Sequence, residues 1–116
     1  MTLNVESITF DTTDPDTAAQ WWAQAAGGQL TPYVAGEYVA VERQPEPKLL
    51  FQKVADPTPG KNKIHLDFTA ADVEAEVQRL VDLGAKETGR HSLGPVSWVV
   101  LADPEGNAFC VTSSAD

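Results

Sequence analysis

Ile8-Thr9-Phe10-Asp11-Thr12-Thr13-Asp14 and Leu66-Asp67-Phe68-Thr69-Ala70-Ala71-Asp72 decide how this chain is read. Each is a short strand-like run of alternating residues that ends in an aspartate and passes into a helical pattern. The two stretches lie 58 residues apart, half of the 116-residue length. At that spacing Ile8 falls on Leu66, Phe10 on Phe68 and Phe51 on Phe109. The sequence is therefore two copies of one unit.

In the first copy Asp14 caps a helix that has Pro15 at its first position, where the missing N–H costs nothing, and that runs to about Ala26. Gly27-Gly28 ends it. In the second copy Asp72 caps a helix with Val73, Val77, Leu80 and Val81 on one face, ended by Gly84. Strand patterns follow at Tyr38–Val41 and Leu49–Val54, and again at Ser97–Ala102 and Ala108–Thr112. Weaker ones lie at Gln29–Val34 and Lys86–Thr88. Asp103-Pro104-Glu105-Gly106-Asn107 supplies a tight turn between the last two strands. The expected order is βαβββ twice, an α+β fold with module 1–55, linker 56–60 and module 61–116 within one domain. One helix per largely antiparallel sheet leaves the other sheet face open, and two such sheets can curl into a half-barrel around a cleft.

Composition narrows the function. Net charge is −9, spread along the chain, which opposes a nucleic-acid partner and suits at most a cationic ligand. No apolar run reaches the ~18 residues of a membrane span, and Met1–Glu6 lacks the basic start and apolar stretch of a secretory signal, so a cytoplasmic location is expected. The single cysteine, Cys110, excludes an internal disulfide and any multi-cysteine metal centre.

Three stretches carry a resemblance: Lys61-Asn62-Lys63-Ile64-His65-Leu66-Asp67-Phe68, the Asp72–Gly84 helix with Ala85, and Ala102-Asp103-Pro104-Glu105-Gly106-Asn107-Ala108-Phe109-Cys110-Val111. With them the chain resembles the vicinal oxygen chelate superfamily, and in particular its glyoxalase-like members. The resemblance implies a divalent metal held by four side chains, one from the first and one from the last strand of each copy. Carried over, those positions are Ser7, Gln52, His65 and Cys110, and the 58-residue spacing relates Ser7 to His65 and Gln52 to Cys110. None is a carboxylate, so a hard ion would lack neutralising oxygen donors. Glyoxalase I chemistry would also lack its carboxylate base. No cofactor is expected, with a divalent metal on His65 as the open alternative.

Individual residues keep more than one reading. His65 suits a half-buried strand position, a polar or acid–base contact, or a metal ligand. Cys110 reads as a small buried hydrophobe or as a nucleophile, the latter with His65 as base if the two copies face each other. Asp67 shares the face of His65 and can hydrogen-bond to it, or both can point outward. His91 reads as solvated in a Gly/Arg-rich loop, or as a rim residue. Trp98 can floor a cleft and Tyr33 or Tyr38 can stand at its mouth, which would suit a planar or cationic ligand. Trp22 belongs to the core or an interface, and Trp21 under a loop or at a dimer contact.

Two functions lead, and an interaction domain with a vestigial cleft is a third reading. One is a small-molecule-binding protein without metal, similar to the drug-sequestering members of the superfamily, which act as homodimers. The other is a lyase, isomerase or dioxygenase using His65, with or without a divalent metal. The candidate site residues are Ser7, Gln52, His65, Cys110, Trp98 and Tyr38.

Overall fold

The computed structural model describes residues 4–60, 62 and 64–113, so Lys61 and Lys63 of the resemblance stretch lie outside it. The chain divides into two compact units, residues 1–58 and 59–116. Each is a four-stranded sheet with one helix.

Unit 1 runs β1 (Ser7–Thr12), α1 (Pro15–Ala26), β2 (Gln29–Val34), β3 (Tyr38–Arg43) and β4 (Glu46–Lys53). Its sheet order is β1-β4-β3-β2, with β1 parallel to β4 and the remaining pairs antiparallel. The helix starts where expected: the Asp14 carboxylate accepts from Thr17 N at 3.2 Å and from Thr17 Oγ1 at 2.8 Å. Its apolar stripe is Ala18, Ala19 and Trp22, all buried. Trp22 packs on Phe10 (5.5 Å between ring centroids), and Phe10 stacks on Phe51 (4.8 Å). This sends Ile8, Phe10, Val39, Val41, Leu49 and Phe51 toward the helix, and their alternating neighbours to the other face. Gly28 turns the chain into β2; a Cβ there would stand 2.7 Å from Val41 Cγ1 and 2.8 Å from the Glu42 carbonyl oxygen, so only glycine fits.

Unit 2 repeats the plan as β5 (Leu66–Ala70), α2 (Val73–Leu83), β6 (Lys86–Leu93), β7 (Val96–Ala102) and β8 (Ala108–Ser113). The sheet order is β5-β8-β7-β6, with β5 parallel to β8. Asp72 caps α2 by accepting from Ala75 N at 3.1 Å. Val77 and Leu80 are buried, whereas Val81, expected on the same face, is 37% exposed because it sits at the edge of the stripe. The Asp103–Asn107 turn is held by Asp103, whose carboxylate accepts from Glu105 N, Asn107 N and Asn107 Nδ2 at 2.7–3.0 Å.

Two details depart from the sequence reading. The first is β6, which continues to Leu93 instead of stopping at Thr88, so His91 is a strand residue and not a loop residue. The register of β6 against β7 shifts between Glu87 and Gly89, leaving Thr88 as the extra residue of a bulge. That bulge flips the alternation, turning Arg90 toward α2 and His91 to the opposite face. Arg90 then reaches Glu74 of α2 at 2.6 and 3.0 Å and Glu87 at 2.7 and 3.1 Å.

The second is the repeat spacing. In unit 1, Phe10 stands opposite Phe51 and Phe51 opposite Val39; in unit 2, Phe68 stands opposite Val111 and Val111 opposite Val99. The first strands are 58 residues apart, but the third and fourth are 60 apart, because the β6–β7 hairpin is longer than the β2–β3 hairpin. Phe51 thus corresponds to Val111, not Phe109; Gln52 corresponds to Thr112, and Cys110 to Leu50.

The Arg90 bridge predicts a pH dependence. Hydrogen bonds from Arg90 hold the Glu74 and Glu87 carboxyls below the ordinary glutamate value of 4.5. Because the folded values are depressed, the stabilisation is complete above 4.5 and fades as pH falls through the lowered values. Thermal melts should show Arg90→Gln melting below the parent at neutral pH, with the gap closing as the solution is acidified past that range. A gap that persists or widens in acid contradicts the assignment.

Candidate functional site

The face of each sheet away from its helix carries the sequence-predicted residues. On unit 1 the rows across the sheet are Asp11–Gln52–Tyr38, Thr9–Leu50–Ala40–Thr31 and Ser7–Lys48, with Glu42 beside Gln29. Gln52 Nε2 donates to Asp11 Oδ1 at 3.2 Å. Lys48 Nζ lies 5.0 Å from the Tyr33 ring centroid and donates to its hydroxyl at 3.3 Å, and that hydroxyl donates to Glu42 at 3.0 Å. The bond to Tyr33 keeps the Lys48 ammonium above its ordinary pKa, with Glu6 and Glu42 adding attraction. Ser7 stands opposite Lys48, and Tyr38 is 41% exposed. These polar groups largely satisfy one another.

Unit 2 is richer in chemistry. Its rows are Asp67–Cys110–Val100–Gly89 and Thr69–Thr112–Trp98–His91, with Ala108 beside Ala102. His65 immediately precedes β5, and its Nδ1 lies 3.2 Å from Asp67 Oδ1 and 3.9 Å from Cys110 Sγ. The His65 and Asp67 side chains are 43% and 62% exposed, whereas Cys110 is buried. His65 and Cys110 therefore meet inside one unit, across the parallel β5–β8 pair. Two copies facing each other are not needed to bring them together. Among the described residues, His65, Asp67 and Cys110 form a group whose donor atoms all lie within 4.8 Å of one another.

Asn62 braces this corner. Its carboxamide accepts from Ala108 N at 3.0 Å and donates to the Ala108 carbonyl at 3.3 Å, with a further bond to the Ile64 carbonyl. A side-chain amide thus takes the place of a strand neighbour and ties the segment ahead of His65 to β8.

The donor sets differ in what they can hold. Ser7, Gln52, His65 and Cys110 offer a hydroxyl, an amide, an imidazole and a thiol, a combination that does not fit a hard divalent ion. The trio of imidazole, carboxylate and thiol matches the ligand types of a zinc-class ion. Metal–donor distances of about 2.0–2.3 Å in a tetrahedron separate the donors by roughly 3.4–3.6 Å. The 3.2 and 3.9 Å from His65 Nδ1 lie either side of that spacing, while the three donors as a set spread over up to 4.8 Å.

Across the same face, next to β6, lies a groove of about 430 Å³ lined by Thr88, Gly89, His91, Val100 and Ala102, with Gly60, Gly106 and Ala108. The His91 and Trp98 rings stand 5.7 Å apart at 33°. A Cβ on Gly89 would come within 3.1 Å of His91 Nε2, so glycine gives that ring its place. Trp21, by contrast, is no free surface anchor: it packs edge-on against Trp22 at 5.0 Å.

The sequence offers His91 only as a loop or rim residue and does not offer Gly89 at all, since nothing in Thr88-Gly89-Arg90-His91-Ser92 announces the bulge. Asp67 was visible as a hydrogen-bond partner of His65, but not as a donor beside Cys110.

The sequence profile of the glyoxalase-like domain matches residues 7–112. The chain belongs to that family. Solved glyoxalase-like structures agree in fold. A glyoxalase/bleomycin resistance protein/dioxygenase family enzyme from Burkholderia phytofirmans PsJN superposes with a TM-score of 0.82 at 17% identity, over 97% of this chain and 100% of that one. Lactoylglutathione lyase from Agrobacterium tumefaciens gives 0.71 at 18%, over 96% and 93%. TnmS3, an antibiotic-binding protein from Streptomyces sp. CB03234, gives 0.72 at 20%, over 98% of each. At these identities the likeness is one of fold alone. No curated protein matches the sequence.

The ring pair predicts a spectroscopic signature. The His91 ring protons should be displaced by the Trp98 ring current, and the displacement should vanish in Trp98→Leu. Gly89→Ala should move the same signals while changing stability by no more than about 1 kcal/mol, since the exposed ring can yield. Proton NMR of the two histidines checks this, and unchanged His91 signals in Trp98→Leu would contradict the packing.

Proposed function

We propose that this glyoxalase-like chain binds a small planar aromatic compound, cationic or neutral, and sequesters it. The observation that carries this reading is the groove on unit 2, with His91 in its wall and Trp98 beside that ring. Its volume of about 430 Å³ falls in the range of small-molecule sites. Flat rings stack on such side chains with a gain of about 0.5–1.5 kcal/mol beyond area burial. The net charge of −9 favours a cation over an anion. Ser7, Gln52 and Tyr38 stay in the proposal as contacts offered by the helix-free face of unit 1, and His65 and Cys110 as contacts on unit 2. Cytoplasmic residence and a homodimer complete the reading.

A second reading, a lyase, isomerase or dioxygenase acting through His65, is favoured by the closeness of Asp67 and Cys110 to that ring.

Calorimetric titration with a panel of planar cationic and neutral aromatics, run in chelator, tests the binding reading. Saturable binding is expected for at least one class, weakened about tenfold by Trp98→Ala and by His91→Ala, which corresponds to about 1.4 kcal/mol. No saturation across the panel, or affinity indifferent to both substitutions, contradicts it.

A further inference from the structure

We propose that His91 gates the unit 2 groove by charge: a cationic aromatic compound is held while the imidazole is neutral and is released when the imidazole takes up a proton. The inference rests on the aromatic-binding reading of that groove and names what regulates it.

The backbone sets His91 at the groove with its ring already placed. β6 pairs His91 with Trp98 and Gly89 with Val100, so these four share the helix-free face, with Gly89 and Val100 as floor and His91 as wall. The imidazole lies against the indole, 5.7 Å between centroids at 33°. It leans over Gly89 with its Nε2 edge foremost: a Cβ on Gly89 would stand 3.1 Å from Nε2, against 3.8 and 3.9 Å from Cε1 and Cδ2. A flat ligand lying on this floor meets the nitrogen edge of His91 with no Cβ between them.

No countercharge shares that edge. Among the described residues, His91 is the one ionisable side chain of the groove lining, whose other members are glycine, alanine, valine and threonine. On β6, Glu87 and Arg90 turn to the helix face, where Arg90 binds Glu87 and Glu74 of α2. Lys86 stands beside Ala102, at the other end of the strand. β7 carries no charged residue, and β8 brings only the buried Cys110 thiol. Asp67 lies beside His65 on β5, the opposite edge of the sheet. In the β7–β8 turn the Asp103 carboxylate is taken up by Glu105 N and Asn107, and the exposed Glu105 completes the set.

Imidazole is the side chain whose charge changes between about pH 5 and 8. A neutral His91 leaves the Trp98 ring free to attract a cation. A protonated His91 puts a positive charge beside the ligand's own and competes with it for the indole. For charges in contact at an exposed site, such repulsion amounts to about threefold to tenfold in affinity. An anionic ring gains where the cation loses, and an uncharged ring is indifferent.

Equilibrium dialysis of the full-length chain in chelator tests this with probes of matched shape and permanent charge: N-methylquinolinium, 1-methylnaphthalene and 1-naphthalenesulfonate. Between about pH 8.5 and about pH 5.5 the cation should weaken at least about threefold relative to the neutral probe, and the anion should tighten. Added salt should shrink both changes. His91→Phe keeps a ring beside Trp98 and should lose the response. His91→Lys fixes the positive charge and should bind the cation weakly at both pH values. His91 is exposed, so both variants keep the fold, as circular dichroism will confirm. Both also retain His65, so a response that survives in His91→Phe arises elsewhere and overturns the proposal. A smaller change in the parent, or a cation that does not bind even in mild alkali, overturns it as well. Saturable binding of the neutral probe alongside either of those results sinks the gate and leaves the aromatic reading standing. No saturation by any of the three probes sinks both.

Discussion

The parallel pairing of β5 with β8 is the constraint on which the rest of unit 2 depends. It joins the first strand of the unit to the last across the intervening chain, so that residues 43 apart become neighbours. On the helix side, that pairing sets Phe68 edge-on to Phe109 at 5.9 Å and closes the core under α2. On the other side it puts Asp67 beside Cys110, and brings the segment ahead of β5 close enough for His65 to reach both. A shift of two residues would preserve the apolar alternation and the core face, yet it would replace Asp67 with Thr69 opposite Cys110. Packing alone is therefore nearly indifferent to the change that decides the chemistry. The Asn62 bridge to Ala108 and the turn held by Asp103 restrict that freedom, since both fix where β8 begins.

The two units share a plan and differ in what their open faces present. On unit 1 the polar groups pair off: Gln52 with Asp11, and Lys48 with Tyr33 and Glu42. On unit 2 the corresponding face carries both histidines, the cysteine and a half-buried tryptophan. A single bulge at Thr88 does much of this work. It sends Arg90 to the helix side, where two carboxylates meet it, and His91 to the groove side, beside Trp98. One extra residue thus serves stability on one face and ligand contact on the other.

The sequence makes the scaffold legible because its signals are local. Asp14 with Pro15, Asp72, Gly27-Gly28, Gly84 and the Asp103–Asn107 turn each mark a boundary that the structure keeps. The alternation around Phe10 and Phe68 correctly orients both first strands. Non-local register is not written in such signals. The 58-residue spacing that relates the first strands fails for the last ones, because extra length in the β6–β7 hairpin moves β7 and β8 by two residues. Pairing Gln52 with Cys110 from that spacing was thus wrong by one alternation, and the same slip hid Asp67 as the neighbour of Cys110. His91 reads as a loop residue because a bulged strand with glycine, arginine and serine has no clean period.

Cross-strand proton NOEs between β5 and β8 read this register. Backbone contacts should align Asp67 with Cys110 and Phe68 with Val111. Contacts aligning Thr69 with Cys110, the register that a uniform 58-residue repeat would give, would contradict it and dissolve the His65–Asp67–Cys110 cluster.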